Sequence, residues 1–359
     1  MDFRELVGDD IAGVIDQAWV PTQVQRELIP RILRGADAVA TSPTGSGKTL
    51  SYLLPIFRAI ELMPQQPPDK RVRALVLAPT YDLAAQIHDQ ARRLWDKIAD
   101  KTGFTGARPV LLMGGAAIGR QVESLKEKPK IAVGTPGRVL ELINIKKLTV
   151  HFVKFAVLDE WDRLLDKNNR ENVAAVLKAI PKERQTILLS ATKPAAAQLS
   201  ALEGITKNAV HIHADSPDTL QHLTIVCERR DKFAELRKLC RGGSKVLVFV
   251  KNAGEAQRVM ERLCYHDIQA AALSADMSGA VRKQALSSLR DGKLAVLVAT
   301  DAAARGIDIP GLDMVVNMEP PQTANEYLHR AGRTGRMGRE GLVITLATEG
   351  ERLRGAFKC

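Results

Sequence analysis

Short, mostly apolar runs alternate along the chain with longer stretches whose apolar residues have helical spacing. Such runs are typical of strands that are buried on both faces of a sheet. Strands that alternate with helices indicate βαβ units, so the pattern predicts an α/β fold with a mainly parallel sheet, flanked by helices, in each half. The predicted strands are 38–40, 74–77, 110–112, 131–133, 155–158, 186–189, 246–250, 294–298, 314–316 and 342–344.

The length of the chain indicates more than one hydrophobic core. At 359 residues it exceeds the usual size of a single domain, which predicts two. The stretch 214–220 is polar, contains Pro217 and has the composition of a linker. We therefore expect a first domain over 1–213, a linker over 214–220 and a second domain over 221–359.

Charge and aromatic content narrow the class of partner. The chain has 52 Lys and Arg against 41 Asp and Glu, a net charge of +11, which favours a polyanionic partner, although charge also serves solubility alone. Aromatic residues make up only 4%, which argues against recognition by stacked bases. Contacts to a nucleic-acid backbone are then favoured.

The remaining composition indicates a soluble intracellular protein. The four cysteines have neither metal-ligand spacing nor a pairing pattern, and we interpret them as reduced thiols. No apolar run is long enough to span a membrane, so no membrane association is expected.

Residues 42–49 have the composition of a phosphate-binding loop between a predicted strand and a predicted helix. Glycines at 45 and 47 let the backbone bend so that N–H groups point at phosphate oxygens, while Lys48 adds a positive charge and the Thr49 hydroxyl can bind Mg²⁺. The strict pattern begins with Gly where this chain has Ser42, so a chance glycine-rich turn is the alternative. Pro55 is expected to bend or end the following helix. The loop comprises Ser42, Pro43, Thr44, Gly45, Ser46, Gly47, Lys48 and Thr49.

Two carboxylates directly follow the predicted strand 155–158. Parallel strands present the residues at their carboxyl ends where ligands bind in open α/β sheets, so Asp159 and Glu160 are placed for this chemistry. With the loop they predict a site that hydrolyses ATP with Mg²⁺.

The segment 329–336 is rich in arginine and glycine. Arg333 and Arg336 are spaced for one face of a helix, which predicts arginine fingers directed at the γ-phosphate. A basic nucleic-acid patch or a solvated helix face is the alternative.

Taken in order, these and further segments resemble the helicase core of the DEAD-box ATP-dependent RNA helicases, from about residue 3 to the end. The resemblance implies two tandem RecA-like domains that close on ATP and RNA, hydrolyse ATP and unwind short RNA duplexes. An ATP-controlled RNA clamp, a DNA helicase and, remotely, a small-molecule kinase are the competing hypotheses.

Several ATP-site roles follow from the resemblance. The segment 19–25 is similar to the Q motif, in which Gln25 would recognise adenine beside Trp19, although alone it is equally a helix-start segment. Asp159 would hold Mg²⁺ through water, and Glu160 would orient or deprotonate the attacking water. Trp161 departs from the family's alanine. The segment 300–308 matches a motif that supplies Gly306 and Asp308, with Asp308 on the ribose.

The resemblance also implies coupling and RNA-binding residues. Ser190 and Thr192 would bond Asp162 and, with His329, couple hydrolysis to unwinding. Tyr81, Asp82 and Gly279 depart from the family pattern, which weakens two of the RNA contacts. The implied RNA-binding residues are Pro79, Thr80, Gly115, Thr135, Pro136, Gly137, Arg138, Lys251, Arg282, Thr300 and Asp301.

The expected partner is RNA, held by its sugar-phosphate backbone with little sequence preference. Protein activators or ribonucleoprotein complexes are further expected partners, and we expect a monomer.

Overall fold

The computed structural model describes residues 2–16, 19–43, 45–62, 71–103, 108–166, 168–191, 204–206, 208–214, 220–274, 277, 279–304, 311–335 and 340–354. The chain forms two compact units, Met1–Ser42 with Ser46–Asp215, and Pro43–Gly45 with Ser216–Cys359. Pro43–Gly45 are continuous with the strand and helix that flank them and are described with those elements. Among the described residues, no helix has the length and apolar character needed to cross a membrane.

The first unit is a seven-stranded parallel sheet with the strand order β3-β4-β2-β5-β6-β1-β7. Its strands are β1 Ala38–Thr41, β2 Ala74–Leu77, β3 Val110–Leu112, β4 Ile131–Gly134, β5 Phe155–Asp159, β6 Gln185–Ser190 and β7 Val210–His213. Its helices are α1 Phe3–Ala12, α2 Gln23–Leu33, α3 Lys48–Leu62, α4 Tyr81–Thr102, α5 Ile118–Lys126, α6 Pro136–Asn144, α7 Trp161–Leu164 and α8 Arg170–Ala179.

The second unit is a six-stranded parallel sheet with the order β10-β11-β9-β12-β13-β8. Its strands are β8 Leu220–Val226, β9 Val246–Phe249, β10 Ala270–Leu273, β11 Val296–Ala299, β12 Met314–Asn317 and β13 Gly341–Ala347. Its described helices are α9 Lys232–Cys240, α10 Ala253–Tyr265, α11 Gly279–Arg290, α12 Asp301–Ala304, α13 Ala324–Ala331 and α14 Glu349–Arg354.

Each sheet is covered by an apolar layer on both faces, as the continuous apolar runs predict. In β5, Phe155 and Val157 belong to one buried cluster and Ala156 and Leu158 to the other, because successive side chains point to opposite faces. The prediction of two mainly parallel α/β sheets is therefore confirmed.

Helix α4 shows how sequence sets the boundaries and burial of the flanking helices. Thr80 caps its start by accepting a hydrogen bond from the N–H of Leu83, and Gly103 ends it in a left-handed conformation with φ +69°. Trp95 packs its ring against that of Phe57 in α3, with 5.9 Å between the ring centroids. The buried face has helical spacing and comprises Ala84, Ile87, Ala91, Leu94, Trp95 and Ile98.

The structure differs from the sequence-based expectation in two local respects. Helix α3 does not end at Pro55 but continues to Leu62, since the helix is buried around this position and packing outweighs one lost backbone hydrogen bond. Strands β7, β8 and β10 were not predicted. The first two are edge strands with exposed side chains, and β10 has the weakly strand-forming sequence A-A-A-L, so none has a strong apolar signal.

Gly134, the last residue of β4, provides a test of close packing within the first sheet. A Cβ at this position would lie 2.4 Å from Leu112 O and 2.8 Å from Val139 Cγ2. Backbone atoms cannot move aside without a cost in free energy. Gly134→Ala should therefore lower the free energy of unfolding, measured by urea denaturation, by ~1–3 kcal/mol. Gly119→Ala in α5 meets open space and should be neutral or stabilising by up to ~1 kcal/mol. Equal stability of the two variants would contradict the close packing.

Candidate functional site

The loop between β1 and α3 adopts the backbone conformation that its glycines permit. Gly45 and Gly47 have φ of +82° and +87°, a region that strongly favours glycine. A Cβ at Gly47 would also lie 2.4 Å from Nε2 of Gln25. The loop therefore requires glycine at position 47 for both conformation and space.

Ser42 is a structural part of this loop and not merely a tolerated substitute for glycine. Its side chain is fully buried, and its hydroxyl donates to Ser46 Oγ at 2.6 Å. Its N–H donates to the carbonyl of Ser190 at 3.0 Å, which ties the loop to the end of β6. The Lys48 ammonium donates to the Ser42 carbonyl, so its charge is held across the loop. This arrangement concentrates donors and positive charge where an anionic phosphate would bind.

Gln25, predicted to recognise adenine, links helix α2 to the loop in this structure. Its Nε2 donates to the Gly47 carbonyl at 3.1 Å, and its Oε1 accepts from the N–H of Thr22 at 2.9 Å. Gln25 is buried, whereas Trp19 is 44% exposed. The adenine contact of both residues stays a prediction.

Two acidic residues lie at the carboxyl end of β5, as predicted. Asp159 is buried and accepts the N–H of Glu160 on Oδ1 and the hydroxyl of Tyr52 on Oδ2, both at 3.0 Å. Burial raises the pKa of Asp159 to about 6, while the nearby Lys48 charge opposes this shift. Burial likewise raises the pKa of Tyr52, so its hydroxyl remains protonated and able to donate.

Glu160 has a left-handed backbone with φ +52° and ψ +51° at the start of α7. This conformation is uncommon for residues other than glycine and is often found at functional sites. The Glu160 carboxylate accepts from Arg163 Nη1 at 2.8 Å. The spacing of one helical turn could have predicted this pair, but the sequence alone did not distinguish it from other charged neighbours.

Trp161 is accommodated by the core on one side of the first sheet. Its side chain is fully buried in a cluster that includes Leu158, Val173 and Leu188. Its indole N–H has no hydrogen-bond partner in the described part of the chain. The large side chain thus packs among apolar residues of the core and not against the neighbouring carboxylates.

The oxygen donors of this site fit a magnesium ion. Mg²⁺ is commonly held by one or two carboxylates together with water and phosphate oxygens. Asp159 and the Thr49 hydroxyl supply oxygens of the right kind, and both side chains interact with Tyr52. Within the described ranges no group of three or more His, Cys, Asp or Glu side chains could hold a metal alone, so a cation here would also need phosphate oxygens or water.

In the second unit, the prediction that Arg333 and Arg336 share a helical face is wrong. Helix α13 ends at Ala331, and the N–H of Gly332 donates to the carbonyl of Leu328 at the helix end. Arg333 follows the cap, is 7% exposed, and donates from Nε to the His329 carbonyl at 3.2 Å. Arg336 lies outside the described residues.

Arg330, which the sequence did not single out, is the centre of a buried polar network. Its Nε and Nη2 donate to the two carboxylate oxygens of Asp301 at 2.7 and 2.5 Å. It also donates to Glu326 at 2.8 Å and to Asn317 at 3.1 Å. Asp301, predicted to contact RNA, is thus held by an arginine of the same unit, which joins α12 to α13.

The predicted RNA-binding residues of the first unit follow three neighbouring strands. Pro79 and Thr80 follow β2, Gly115 follows β3, and Thr135 follows β4. Since parallel strands end at the same edge of a sheet, these segments lie side by side, with Pro136, Gly137 and Arg138 at the start of α6. Arg138 donates to the Ala116 carbonyl at 3.1 Å and thereby joins two of the segments.

The second unit repeats this arrangement. Lys251, which is exposed, follows β9, and Thr300 follows β11, the strand beside it. Thr300 accepts from the N–H of Ala303 at 3.3 Å and caps α12. Arg282 in α11 donates to the carbonyl of Ala303. These predicted contacts again share one sheet edge.

Ser190 is fully buried at the end of β6 and Asp162 is half-buried in α7, and the hydrogen bond between them stays a prediction. His329 is half-buried near the end of α13. The predicted site residues Thr44, Thr192, Gly306 and Asp308 lie outside the described residues.

Comparisons with known proteins agree with this architecture. The DEAD/DEAH box helicase family model matches residues 22–200, and the helicase conserved C-terminal domain model matches residues 231–338. The DEAD-box ATP-dependent RNA helicase CshC of Bacillus cereus is 40% identical over 95% of this chain and 87% of its own length. The probable ATP-dependent RNA helicase DDX47 of Homo sapiens is 35% identical over 97% of this chain and 76% of its own length. The structure of S. cerevisiae Dbp5 bound to RNA and ADP BeF3 has a TM-score of 0.82 and 27% identity, covering 98% of this chain and 91% of that one.

The chain belongs to the DEAD-box ATP-dependent RNA helicases. It is an enzyme that hydrolyses ATP and acts on RNA, and its two parallel sheets are the tandem RecA-like domains of that family. The comparisons favour the helicase over the hypothesis of an RNA clamp with little unwinding activity.

Gly47→Ala should abolish nucleotide binding while the protein remains folded, because it strains the loop backbone and displaces Gln25. Binding of a fluorescent ADP analogue measures the effect, with at least a ~100-fold loss expected for a loop that closely surrounds phosphate. Gly35→Ala is the matched control, since Gly35 also has φ +80° but has no neighbour within 4 Å of an added Cβ. An equal loss in both variants would show that general instability, and not the loop, is responsible.

Proposed function

We propose that the loop 42–49, Asp159 and Glu160 form the site that hydrolyses ATP with Mg²⁺. The observation that carries the proposal is the common position of Lys48, the buried Asp159 and Glu160 at one edge of a parallel sheet, where strands β1 and β5 end on either side of β6. In this proposal, loop N–H groups and Lys48 bind the β- and γ-phosphates, and Thr49 and Asp159 hold Mg²⁺. The bound ion would neutralise charge that develops on the transferred phosphoryl group.

Glu160 is proposed to orient or deprotonate the attacking water. It directly follows Asp159 and donates its backbone N–H to the Asp159 carboxylate, which places Glu160 near the γ-phosphate end of the nucleotide in this proposal. Arg163 donates to one carboxylate oxygen, and a carboxylate can accept several hydrogen bonds, including one from a water molecule.

The remaining ATP contacts would come from both units. Gln25 and Trp19 would bind adenine, Gly306 and Asp308 the ribose, and Arg333 with Arg336 the developing charge of the transition state. Such arginines raise the rate of hydrolysis by ~10³–10⁵-fold, so ATP hydrolysis would require residues of both units.

RNA would be held along its sugar-phosphate backbone by the segments at the strand ends described above. Backbone N–H groups, hydroxyls and arginines bind phosphate without reading bases, which implies little sequence preference. We propose domains over 1–213 and 221–359 that close on ATP and RNA, and a coupling network of Ser190, Thr192, Asp162 and His329. We further propose a monomer that is regulated by protein activators. The structure of Dbp5 bound to Gle1 and IP6 is a precedent among the similar proteins.

Glu160→Gln should slow ATP hydrolysis by at least ~100-fold, because the amide cannot accept a proton from water. ATP and RNA should both stay bound, giving a long-lived complex in a fluorescence-anisotropy chase with labelled single-stranded RNA. Glu171→Gln, an exposed residue at the start of α8, is the matched control and should behave as wild type. Hydrolysis at the wild-type rate would remove Glu160 from the mechanism.

Arg333→Ala should abolish RNA-stimulated ATP turnover, with a loss of ~10³-fold or more, while affinity for ATP is retained. Steady-state phosphate release and nucleotide titration measure the two effects separately. Arg258→Ala in α10 removes an exposed arginine and should leave both unchanged. Turnover of Arg333→Ala within tenfold of wild type, with normal thermal unfolding, would refute its role as an arginine finger.

A further inference from the structure

Tyr52 lies in α3, one helical turn after Lys48, where the same helix carries the phosphate loop into the core. The ring is fully buried among the apolar side chains of the first unit, in the cluster that includes Leu53 and Ile56. A buried tyrosine hydroxyl needs a hydrogen-bond partner, and the partners available here are residues of the candidate ATP site.

The hydroxyl of Tyr52 binds one of the two residues assigned to Mg²⁺. It donates to Asp159 Oδ2 at 3.0 Å, across 107 positions of sequence. Thr49, the other residue, is three positions earlier on the same helix and so lies on the same helical face as Tyr52. Tyr52 is therefore bonded to Asp159 and neighbours Thr49.

The hydrogen bond from Tyr52 helps to fix which way the oxygen atoms of Asp159 face. On Asp159, the Tyr52 hydroxyl holds Oδ2 and the Glu160 N–H holds Oδ1, so the carboxylate has one orientation with acceptor capacity left on both oxygens.

We propose that Tyr52 is a positioning residue for the Mg²⁺ that accompanies ATP, acting through Asp159. The inference rests on the proposed assignment of Asp159 as a residue that holds the ion. Partners behind metal-binding residues set their orientation, and their loss commonly weakens metal affinity 10–100-fold. Tyr52 has this relation to Asp159, since its hydroxyl bonds to the carboxylate and its side chain has no solvent-facing surface of its own.

Tyr52→Phe tests the inference, because it keeps the ring in the core and removes only the hydroxyl. We would titrate a fluorescent ADP analogue in excess EDTA, and then titrate Mg²⁺ into the protein with the nucleotide present. The affinity for the ADP analogue in EDTA should change less than twofold. The Mg²⁺ concentration that gives half-maximal enhancement of nucleotide binding should rise by roughly tenfold. Tyr52→Met, a second apolar replacement, should give a shift in the same direction.

Tyr265→Phe is the matched control, because Tyr265 is 84% exposed at the end of α10 and the Mg²⁺ titration of this variant should equal that of wild type.

The Asp159→Asn variant distinguishes a failure of the proposed metal site from a failure of the role given to Tyr52. If it abolishes the Mg²⁺ enhancement while Tyr52→Phe leaves the titration unchanged, the metal assignment stands and the role of Tyr52 is overturned. If Asp159→Asn keeps the full enhancement, the proposed metal site itself fails. A Tyr52→Phe variant that only melts at lower temperature, with an unchanged Mg²⁺ titration, has a structural role alone.

Discussion

The register of three parallel strands is the constraint on which the proposed ATP site depends. Asp159 at the end of β5 lies opposite Leu189 of β6, and Thr41 at the end of β1 lies opposite Ser190. The acidic residues, the end of β6 and the phosphate loop therefore emerge at one level of the same sheet edge. A shift of one residue in either pairing would turn the side chains of that strand to the opposite face. The continuous apolar pattern, buried on both faces, holds the register by packing.

Different strand ends of the same sheet edge are assigned to the two predicted ligands. In the first unit, the strands β3, β4 and β2 end in the predicted RNA segments, β5 and β1 end in the predicted ATP segments, and β6 between them ends in the predicted coupling segment. Strand β2 pairs with β5, so the two groups adjoin without overlapping. The segments proposed to bind phosphate are thus close to the backbone that would hold RNA. The arrangement gives a physical basis for a dependence of ATP hydrolysis on RNA.

The sequence predicts those parts of the fold and the candidate site that depend on contacts between residues close in sequence. The loop, Lys48 and the acidic pair at 159 and 160 have fixed spacing from a strand and were placed correctly. Tyr52 and Arg330 were missed because their partners are 107 and 29 residues away and no spacing rule marks them. The helical interpretation of Arg333 failed for a local reason, since Gly332 ends the helix just before it.

The bidentate pair of Arg330 and Asp301 limits the substitutions that this protein can accept during evolution. Arg330 is 7% exposed and binds the carboxylates of both Asp301 and Glu326, so its loss leaves two acidic groups without their partner and costs ~3–5 kcal/mol. That cost is a large fraction of the stability of an ordinary domain. Positions 301, 326 and 330 are therefore expected to change together in evolution, because replacement of Arg330 alone is costly.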